Sequence, residues 1–196
     1  MAQTADSGTS SHAFVGDAVN GLTDLGTLGD GYIDSVGMSI NAEGLVAGYS
    51  NTARSTRAFV GDVTSGLTDL GTLGGRISLA YGISDDGQVT GYSQLAPNNI
   101  SNLLLHAFLW DSINGMIDLN DLVIDLSQWQ YLESAQDISH NGNYITGRGF
   151  TTNNAPHAFL LEKVQQPESV PEPQTLWLML LGLYGFTFRR VNPLFK

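Results

Sequence analysis

The stretch RAFVGDVTSGLTDLGTLGGRISLAYGISDDGQVTGYS, residues 57–93, is one copy of an internal repeat. An earlier copy occupies residues 12–50, a more divergent one begins at residue 106, and a fragment, HAFLL, occupies residues 157–161. The Ala-Phe pair of each copy recurs after 45, 49 and then 51 residues. Self-similarity at a period of about 20–50 residues is the signature of solenoids, propellers and other arrays. The chain is therefore predicted to be a repeat protein.

Short segments bounded by turn residues indicate the secondary structure of each copy. In the second copy, four of them have the length and composition of β-strands: Ala58–Asp62, Leu67–Leu73, Ser78–Ser84 and Gln88–Ser93. Asp86-Gly87 and Asn141-Gly142 are hairpin signals, because the turn needs residues that tolerate positive φ. No segment before residue 175 has a helical hydrophobic period. The body is therefore predicted to be all-β.

The apolar positions predict how these strands pack. The strand Ala107–Trp110 is apolar on both faces, which requires sheets stacked on sheets. Leucine triplets also recur, as Leu22, Leu25 and Leu28, as Leu67, Leu70 and Leu73, and as Met116, Leu119 and Leu122. Stacked four-stranded units of about 40–50 residues are typical of propeller blades, although a β-solenoid or a sandwich needs similar strands. We predict propeller-like blades with units 12–56, 57–105 and 106–156 and a last strand at 157–162.

The number of units is too small for a closed ring. Three units and one strand fall short of the typical 4–8 blades, so the propeller is predicted to be incomplete. Exposed blade faces and strand edges would promote self-association. We expect either a fragment of a longer protein or an assembly that closes as an oligomer. Residues 1–11 are predicted to be disordered and have no recognisable secretory signal, which truncation or an unrecognised export route would explain.

Composition excludes several function classes. Residues 1–170 carry 18 acidic and 5 basic side chains, and such an acidic body opposes nucleic-acid binding. The absence of cysteine excludes disulfides, thiolate metal sites and a cysteine nucleophile.

Aromatic residues of the third copy are the candidate ligand-stacking residues. There DLGTLG becomes DLNDLV, and an insert, residues 124–133, carries Trp129 and Tyr131. Together with Trp110, these residues could form a sugar-stacking platform. Alternatively, the insert is a hydrophobic plug over the end of the array.

Histidines and aspartates recur at fixed repeat positions. His12, His106 and His157 begin three of the copies, and we expect them to be structural, bonding between units. Aspartates precede leucine in three copies, and their carboxylates could accept bonds from neighbouring turn amides; they are Asp24, Asp69 and Asp118. Because these aspartates lie on separate units, they do not form a catalytic set.

No other pattern predicts chemistry. The turn Ser84–Gly87 could bind calcium through its oxygen atoms, but the equivalent turns carry fewer carboxylates and turn chemistry accounts for them. No nucleophile elbow, phosphate loop or zinc helix occurs. We predict no enzyme activity, no metal site and no cofactor.

The C-terminus predicts membrane engagement. A polar linker, residues 163–170, precedes residues 171–196, which contain a 14-residue apolar run. As a helix this run would measure about 21 Å, shorter than a hydrocarbon core of about 30 Å. Arg189 and Arg190 follow it and would hold that end on the cytoplasmic side. The predicted membrane segment consists of Leu176, Trp177, Leu178, Met179, Leu180, Leu181, Leu183, Tyr184, Phe186 and Phe188.

The repeat resembles the bacterial extracellular HAF repeat family, named for its His-Ala-Phe start. The resemblance covers residues 12–162, and the third unit looks like the family's terminal repeat. The matching segments are 12–14, 106–108 and 157–159, with Arg57 replacing histidine in the second copy, DLGTLG at 24–29 and 69–74, and the I-x-x-x-G turns at 40–44, 83–87 and 138–142.

The tail resembles a PEP-CTERM sorting signal, with Pro171, Glu172 and Pro173 followed by the apolar segment and the basic pair. The resemblance implies a Gram-negative host, recognition by an exosortase in the inner membrane, processing near the Pro-Glu-Pro, and a mature product at the cell surface or outside the cell. Proteins with this signal tend to accompany exopolysaccharide and biofilm formation. We therefore predict a non-enzymatic exported β-repeat scaffold, with a carbohydrate-binding module as the alternative.

Overall fold

The computed structural model describes residues 4–5, 10–19, 21–29, 32–52, 54–96 and 104–164. Strands make up 63% of these residues and helix almost none, which confirms the predicted all-β class. The elements are β1 (Thr4–Ala5), β2 (Ser11–His12), β3 (Phe14–Asp17), β4 (Gly21–Asp24), β5 (Tyr32–Ile40), β6 (Val46–Thr52), β7 (Thr56–Asp62), β8 (Gly66–Asp69), β9 (Gly74–Ile83), β10 (Val89–Leu95), β11 (Leu105–Asp111), β12 (Gly115–Asp118), α1 (Leu119–Leu122), β13 (Trp129–Ile138), β14 (Tyr144–Thr151) and β15 (Pro156–Glu162).

The strands form successive antiparallel meanders. The first meander is β5–β8, the second is β9–β12, and the third is β13–β15. One parallel pairing, between Thr56 and Ile77, joins the first two into an eight-stranded sheet. Each meander begins after the DLGTLG segment or its counterpart, so it takes its last strands from the following sequence copy. The hydrogen-bonded unit is therefore offset from the sequence repeat.

A glycine opposite a phenylalanine aligns the strands in every meander. Phe59, Phe108 and Phe159 of the Ala-Phe strands each pair in register with a glycine of the preceding strand. A Cβ atom on one of these glycines, Gly91, would lie 2.9 Å from the ring of Phe108 and 1.9 Å from the carbonyl oxygen of Leu79. Only glycine leaves room for the ring and the neighbouring backbone at this position.

The meanders pack face to face, and the Ala-Phe strands β7 and β11 are buried on both sides. Phe59 packs with Ala13 and Leu25 of the N-terminal segment, whereas Ala58 and Val60 pack against the second meander. In β11, the neighbours of Phe108 pack against the third meander. The predicted two-sided burial is confirmed. The described residues form no closed sheet and do not show propeller blades, so the propeller stays a prediction.

Buried serine hydroxyls connect the first and the second meander to the part of the chain that precedes each of them. The Oγ atom of Ser78 accepts the backbone N–H of Ala58 at 2.9 Å and donates to the carbonyl oxygen of Gly71 at 2.6 Å. Ser35 makes the same two bonds, to Ala13 and Gly26. Both serines are fully buried. Each hydroxyl thus satisfies a donor and an acceptor that stacking removes from water.

Two sequence predictions need correction. Leu67–Leu73 was predicted as one strand, but β8 ends at Asp69, because the carboxylate of Asp69 accepts the N–H of Gly71 and turns the chain. No helix was predicted before residue 175, but Leu119 and Leu122 lie in the helical turn α1. Asp118 caps that turn by accepting the N–H of Asn120.

Other predictions fall partly or wholly on residues outside the described ranges. Of residues 1–11, predicted to be disordered, Thr4–Ala5 pair with Ser11–His12, and residues 1–3 and 6–9 are not described. The predicted hydrophobic helix, its membrane segment, the sorting motif and the basic pair all lie outside the described residues. Within the described ranges, no helix has the length and apolarity that crossing a membrane requires.

Replacement of Ser78 by alanine is predicted to destabilise the fold. The substitution leaves the buried N–H of Ala58 without its acceptor, which costs about 1–3 kcal/mol in free energy of unfolding. Ser112→Ala makes the same chemical change in an exposed turn and should alter that free energy by less than about 0.5 kcal/mol. Urea unfolding of both variants tests this prediction, and equal midpoints would contradict it.

Candidate functional site

The repeated histidines and aspartates bind each other. The Nδ1 atom of His12 lies 2.7 Å from Oδ2 of Asp24, and that of His106 lies 2.5 Å from Oδ2 of Asp118. In the second copy Arg57 replaces the histidine, and its Nη1 lies 3.9 Å from Asp69. The expected bonds between units are therefore wrong for His12 and His106, because each pair joins the two ends of a single copy's Ala-Phe hairpin.

The other oxygen of each aspartate shapes the next turn. Oδ1 of Asp24, Asp69 and Asp118 accepts the N–H two residues further along the chain, at 2.7, 2.8 and 2.9 Å. These bonds confirm the predicted contacts with turn amides. Burial opposes ionisation of Asp118, but hydrogen bonds from His106 and Asn120 outweigh it and hold the pKa of this carboxyl below its usual range. Both oxygens of each of these carboxylates thus have structural partners.

The hairpin turns stack on one another through polar contacts. The amide of Asn41 donates to the carbonyl oxygen of Ser84 at 3.0 Å, and the N–H of Asp85 donates to that of His140 at 2.8 Å. Asp86 accepts the hydroxyl of Ser84. The oxygens considered for calcium therefore serve the turns. Among the described residues, no three His, Asp or Glu side chains are grouped to hold a metal ion.

The aromatic residues predicted to stack on a ligand lie in different places. Trp110 packs against the core between the first and second meanders, whereas Trp129 packs against the core between the second and third. The ring of Trp129 meets that of Phe159 edge-on, with centroids 6.2 Å apart. Tyr131 stacks on His106 at 5.6 Å. These contacts favour the plug interpretation for the insert.

A cleft of 520 Å³ opens between the second and third meanders. Its volume lies in the range of about 300–1,000 Å³ that is typical of small-molecule sites. The second meander contributes two tyrosines, and the third contributes a carboxylate, an amide, a guanidinium and an imidazole. These residues are Tyr81, Tyr92, Glu133, Gln136, Arg148 and His157.

The charged groups of the cleft are paired. Nε of Arg148 donates to Oε2 of Glu133 at 2.6 Å, and a second guanidinium nitrogen contacts the same oxygen. The side chain of Glu133 is 18 % exposed and that of Arg148 is 56 % exposed, so the guanidinium remains accessible. Burial, together with the neighbouring Tyr81, raises the pKa of Tyr92 to about 12. At neutral pH the phenol is therefore an uncharged hydrogen-bonding group.

Alignment of the copies contains a signal for this cleft that the sequence analysis did not use. The residue after the phenylalanine-facing glycine is Tyr49, then Tyr92, then Arg148. The residue five positions before the isoleucine that ends the long strand is serine in the first two copies and Glu133 in the third. The third copy thus acquires both members of an ion pair. Without the strand register, nothing in the sequence indicated that these two positions meet.

Stability at acid pH is predicted to depend on the Asp118 pair. The pKa of Asp118 is lower in the folded chain than in the unfolded chain. Its contribution is therefore complete above the unfolded pKa of about 4 and is lost as the pH falls through the folded value. Asp118→Asn should cost roughly 1–3 kcal/mol near pH 7 and progressively less below pH 4.

Unfolding by urea across this pH range measures the difference between wild type and variant. Asp121→Asn removes the same charge from an exposed side chain and controls for net charge. A cost for Asp118→Asn that stays constant with pH would contradict the prediction.

Comparison with known proteins identifies one segment of the chain. Residues 169–191 match the model for the PEP-CTERM protein-sorting motif. No curated protein and no solved structure matches the chain. The resemblance of the repeats to the HAF family therefore remains a prediction. The sorting motif points to an exported protein, at the cell surface or outside the cell, that has an exosortase-type enzyme as its processing partner.

Proposed function

We propose that this chain is a non-enzymatic β-repeat scaffold of the cell surface or the extracellular matrix. The observation that carries the proposal is the PEP-CTERM motif at residues 169–191. The repeated polar residues support a structural role, since the carboxylates of Asp24 and Asp118 and the hydroxyls of Ser35 and Ser78 bind other parts of the fold. On this proposal the β-repeat body forms a stack of sheets, and the C-terminal tail is the signal that directs its export.

The proposed route of export passes through the inner membrane. The apolar segment of the tail engages the bilayer transiently, with Arg189 and Arg190 on the cytoplasmic side. An exosortase then cuts near Pro171–Pro173 and releases the body outward. The proposed setting is a Gram-negative cell that produces exopolysaccharide or a biofilm.

Replacement of Pro171, Glu172 and Pro173 by alanine is predicted to block processing. In a host that contains an exosortase, the wild-type chain should appear as a shortened species outside the inner membrane. The variant should keep its full mass and remain in the membrane fraction. Cell fractionation followed by mass spectrometry measures both properties.

The matched control replaces Gln165 and Gln166, which precede the motif, by alanine and should be processed like the wild type. Normal processing of the triple variant, or a mature wild-type species confined to the cytosol, would refute the proposal.

Self-association is proposed as a second property of the scaffold. Val60 of β7 and Leu109 of β11 are 9 % and 3 % exposed, because the next meander covers them. Leu160 occupies the equivalent position of β15 and is 68 % exposed. We infer that a second copy covers this face, as the next meander does within the chain.

The association of the exported product is predicted to depend on Leu160. Light scattering during size-exclusion chromatography should show a mass that rises with concentration, and Leu160→Lys should raise the concentration at half-association at least tenfold. Ile113→Lys places the same charge at an exposed turn position and should leave association unchanged. A monomeric wild type, or equal association of both variants, would exclude this face.

Carbohydrate binding is the second candidate function. The cleft that contains Tyr81 and Tyr92 combines aromatic rings with polar groups, and a smaller hollow of 260 Å³ lies beside Trp110. Sites of this composition are typical of small-molecule recognition. An extracellular location would bring such a site into contact with polysaccharide.

A further inference from the structure

Two tyrosines form the aromatic wall of the 520 Å³ cleft between the second and third meanders. Tyr81 lies on β9 and Tyr92 on β10, and their ring centroids are 5.7 Å apart with the planes tilted by 59°. Both side chains are partly exposed rather than buried. The tilt gives the wall two differently oriented aromatic surfaces, and each phenol adds a group that can donate and accept hydrogen bonds.

The opposite wall is polar and belongs to the third meander. Arg148 has donors beyond those it uses on Glu133, because a guanidinium carries five N–H groups. Gln136 and His157 are exposed and line the same cleft. This wall therefore offers both donors and acceptors to a ligand.

The charges of the cleft argue against an anionic ligand. Glu133 neutralises Arg148, and the described residues that line the cleft include no second arginine or lysine. The body as a whole carries many more acidic than basic residues and would repel a polyanion. A ligand that suits this site is uncharged, has apolar faces for the rings, and carries several hydroxyl groups.

The neighbouring junction lacks this combination. In the sequence alignment of the copies, Tyr81, Glu133 and Arg148 correspond to Met38, Ser78 and Tyr92 at the junction between the first and second meanders. Ser78 is fully buried and bound to backbone groups. The ion pair of the polar wall is therefore particular to the junction with the third meander.

We propose that the cleft between the second and third meanders binds a neutral oligosaccharide, with a sugar ring against Tyr81 and Tyr92 and its hydroxyls on Arg148, Gln136 and His157. The proposal rests on the carbohydrate-binding candidate function, and it names both the ligand class and the site. It places recognition away from Trp129, whose ring packs into the core.

Calorimetric titration of the full chain with neutral hexasaccharides tests the proposal. The probes are cellohexaose, laminarihexaose and hexa-N-acetylchitohexaose, with hexagalacturonate as the anionic comparison. At least one neutral probe should bind with a Kd at least tenfold lower than that of hexagalacturonate. Absence of binding by all three neutral probes at millimolar concentration, or tighter binding of hexagalacturonate, would overturn the proposal.

Variants locate the site. Tyr81→Ala should raise the Kd at least tenfold, and His157→Ala, a change at an exposed residue that should not affect folding, should raise it at least threefold. Tyr144→Ala removes an exposed tyrosine outside the cleft lining and should bind like the wild type. Wild-type affinity in both cleft variants would place the ligand elsewhere.

The binding experiment and the export experiment test separate proposals, so a negative result in one does not decide the other. Calorimetry does not require export, so loss of sugar binding with intact processing would remove only this site. Intact binding with a cytosolic chain would instead refute the surface scaffold.

Discussion

The contact between a phenylalanine ring and a strand glycine underlies the rest of this structure. In each meander the ring of the Ala-Phe strand faces a glycine of the adjacent strand, as Phe108 faces Gly91. Since a Cβ atom at that glycine would collide with the ring and with backbone, only glycine fits opposite the ring. The ring also faces the preceding unit, so the same contact aligns the strands and begins the next layer of core.

When the layers stack, backbone N–H and carbonyl groups lose their hydrogen bonds to water, and short polar side chains of the repeat replace those bonds. Backbone groups at the interface lose water, and the hydroxyls of Ser35 and Ser78 replace it. In the third copy the solution changes. The side-chain amide of Asn120 binds both the N–H and the carbonyl oxygen of Leu132, as a neighbouring strand would. By strand register Leu132, opposite Gly149, takes the place that Ser78 has opposite Ser93. Glu133 lies at the register shift beside it, and the junction gains a charged pair instead of a buried hydroxyl.

A division of roles follows from this substitution. The first and second meanders repeat their contacts closely, and on the proposed function they are the scaffold. The third keeps the phenylalanine–glycine pair but replaces the small polar residues around it, and the cleft opens at that junction. The sorting motif, which points to export, lies outside the meanders, at residues 169–191.

Local and periodic features were predictable from the sequence. The strands near Ala58–Asp62 and Ser78–Ser84 were recognised because alternation and turn residues are encoded in neighbouring positions. Helical structure at Leu119 was missed because a single capped turn is too short to show a period. The partners of His12 and His106 were not predicted, because bonds to other units were expected. Each histidine instead binds the aspartate 12 residues later in its own copy.

The sequence by itself determined the repeat, the β class, the two-sided burial of the Ala-Phe strands β7 and β11, and the sorting tail, because each is encoded in local composition or in a fixed spacing. Only the tertiary structure decided that Tyr81 and Tyr92 share a cleft with Glu133 and Arg148. Their meeting depends on how one meander is placed on the next, and that placement results from the packing of the entire interface. No short stretch of residues encodes it.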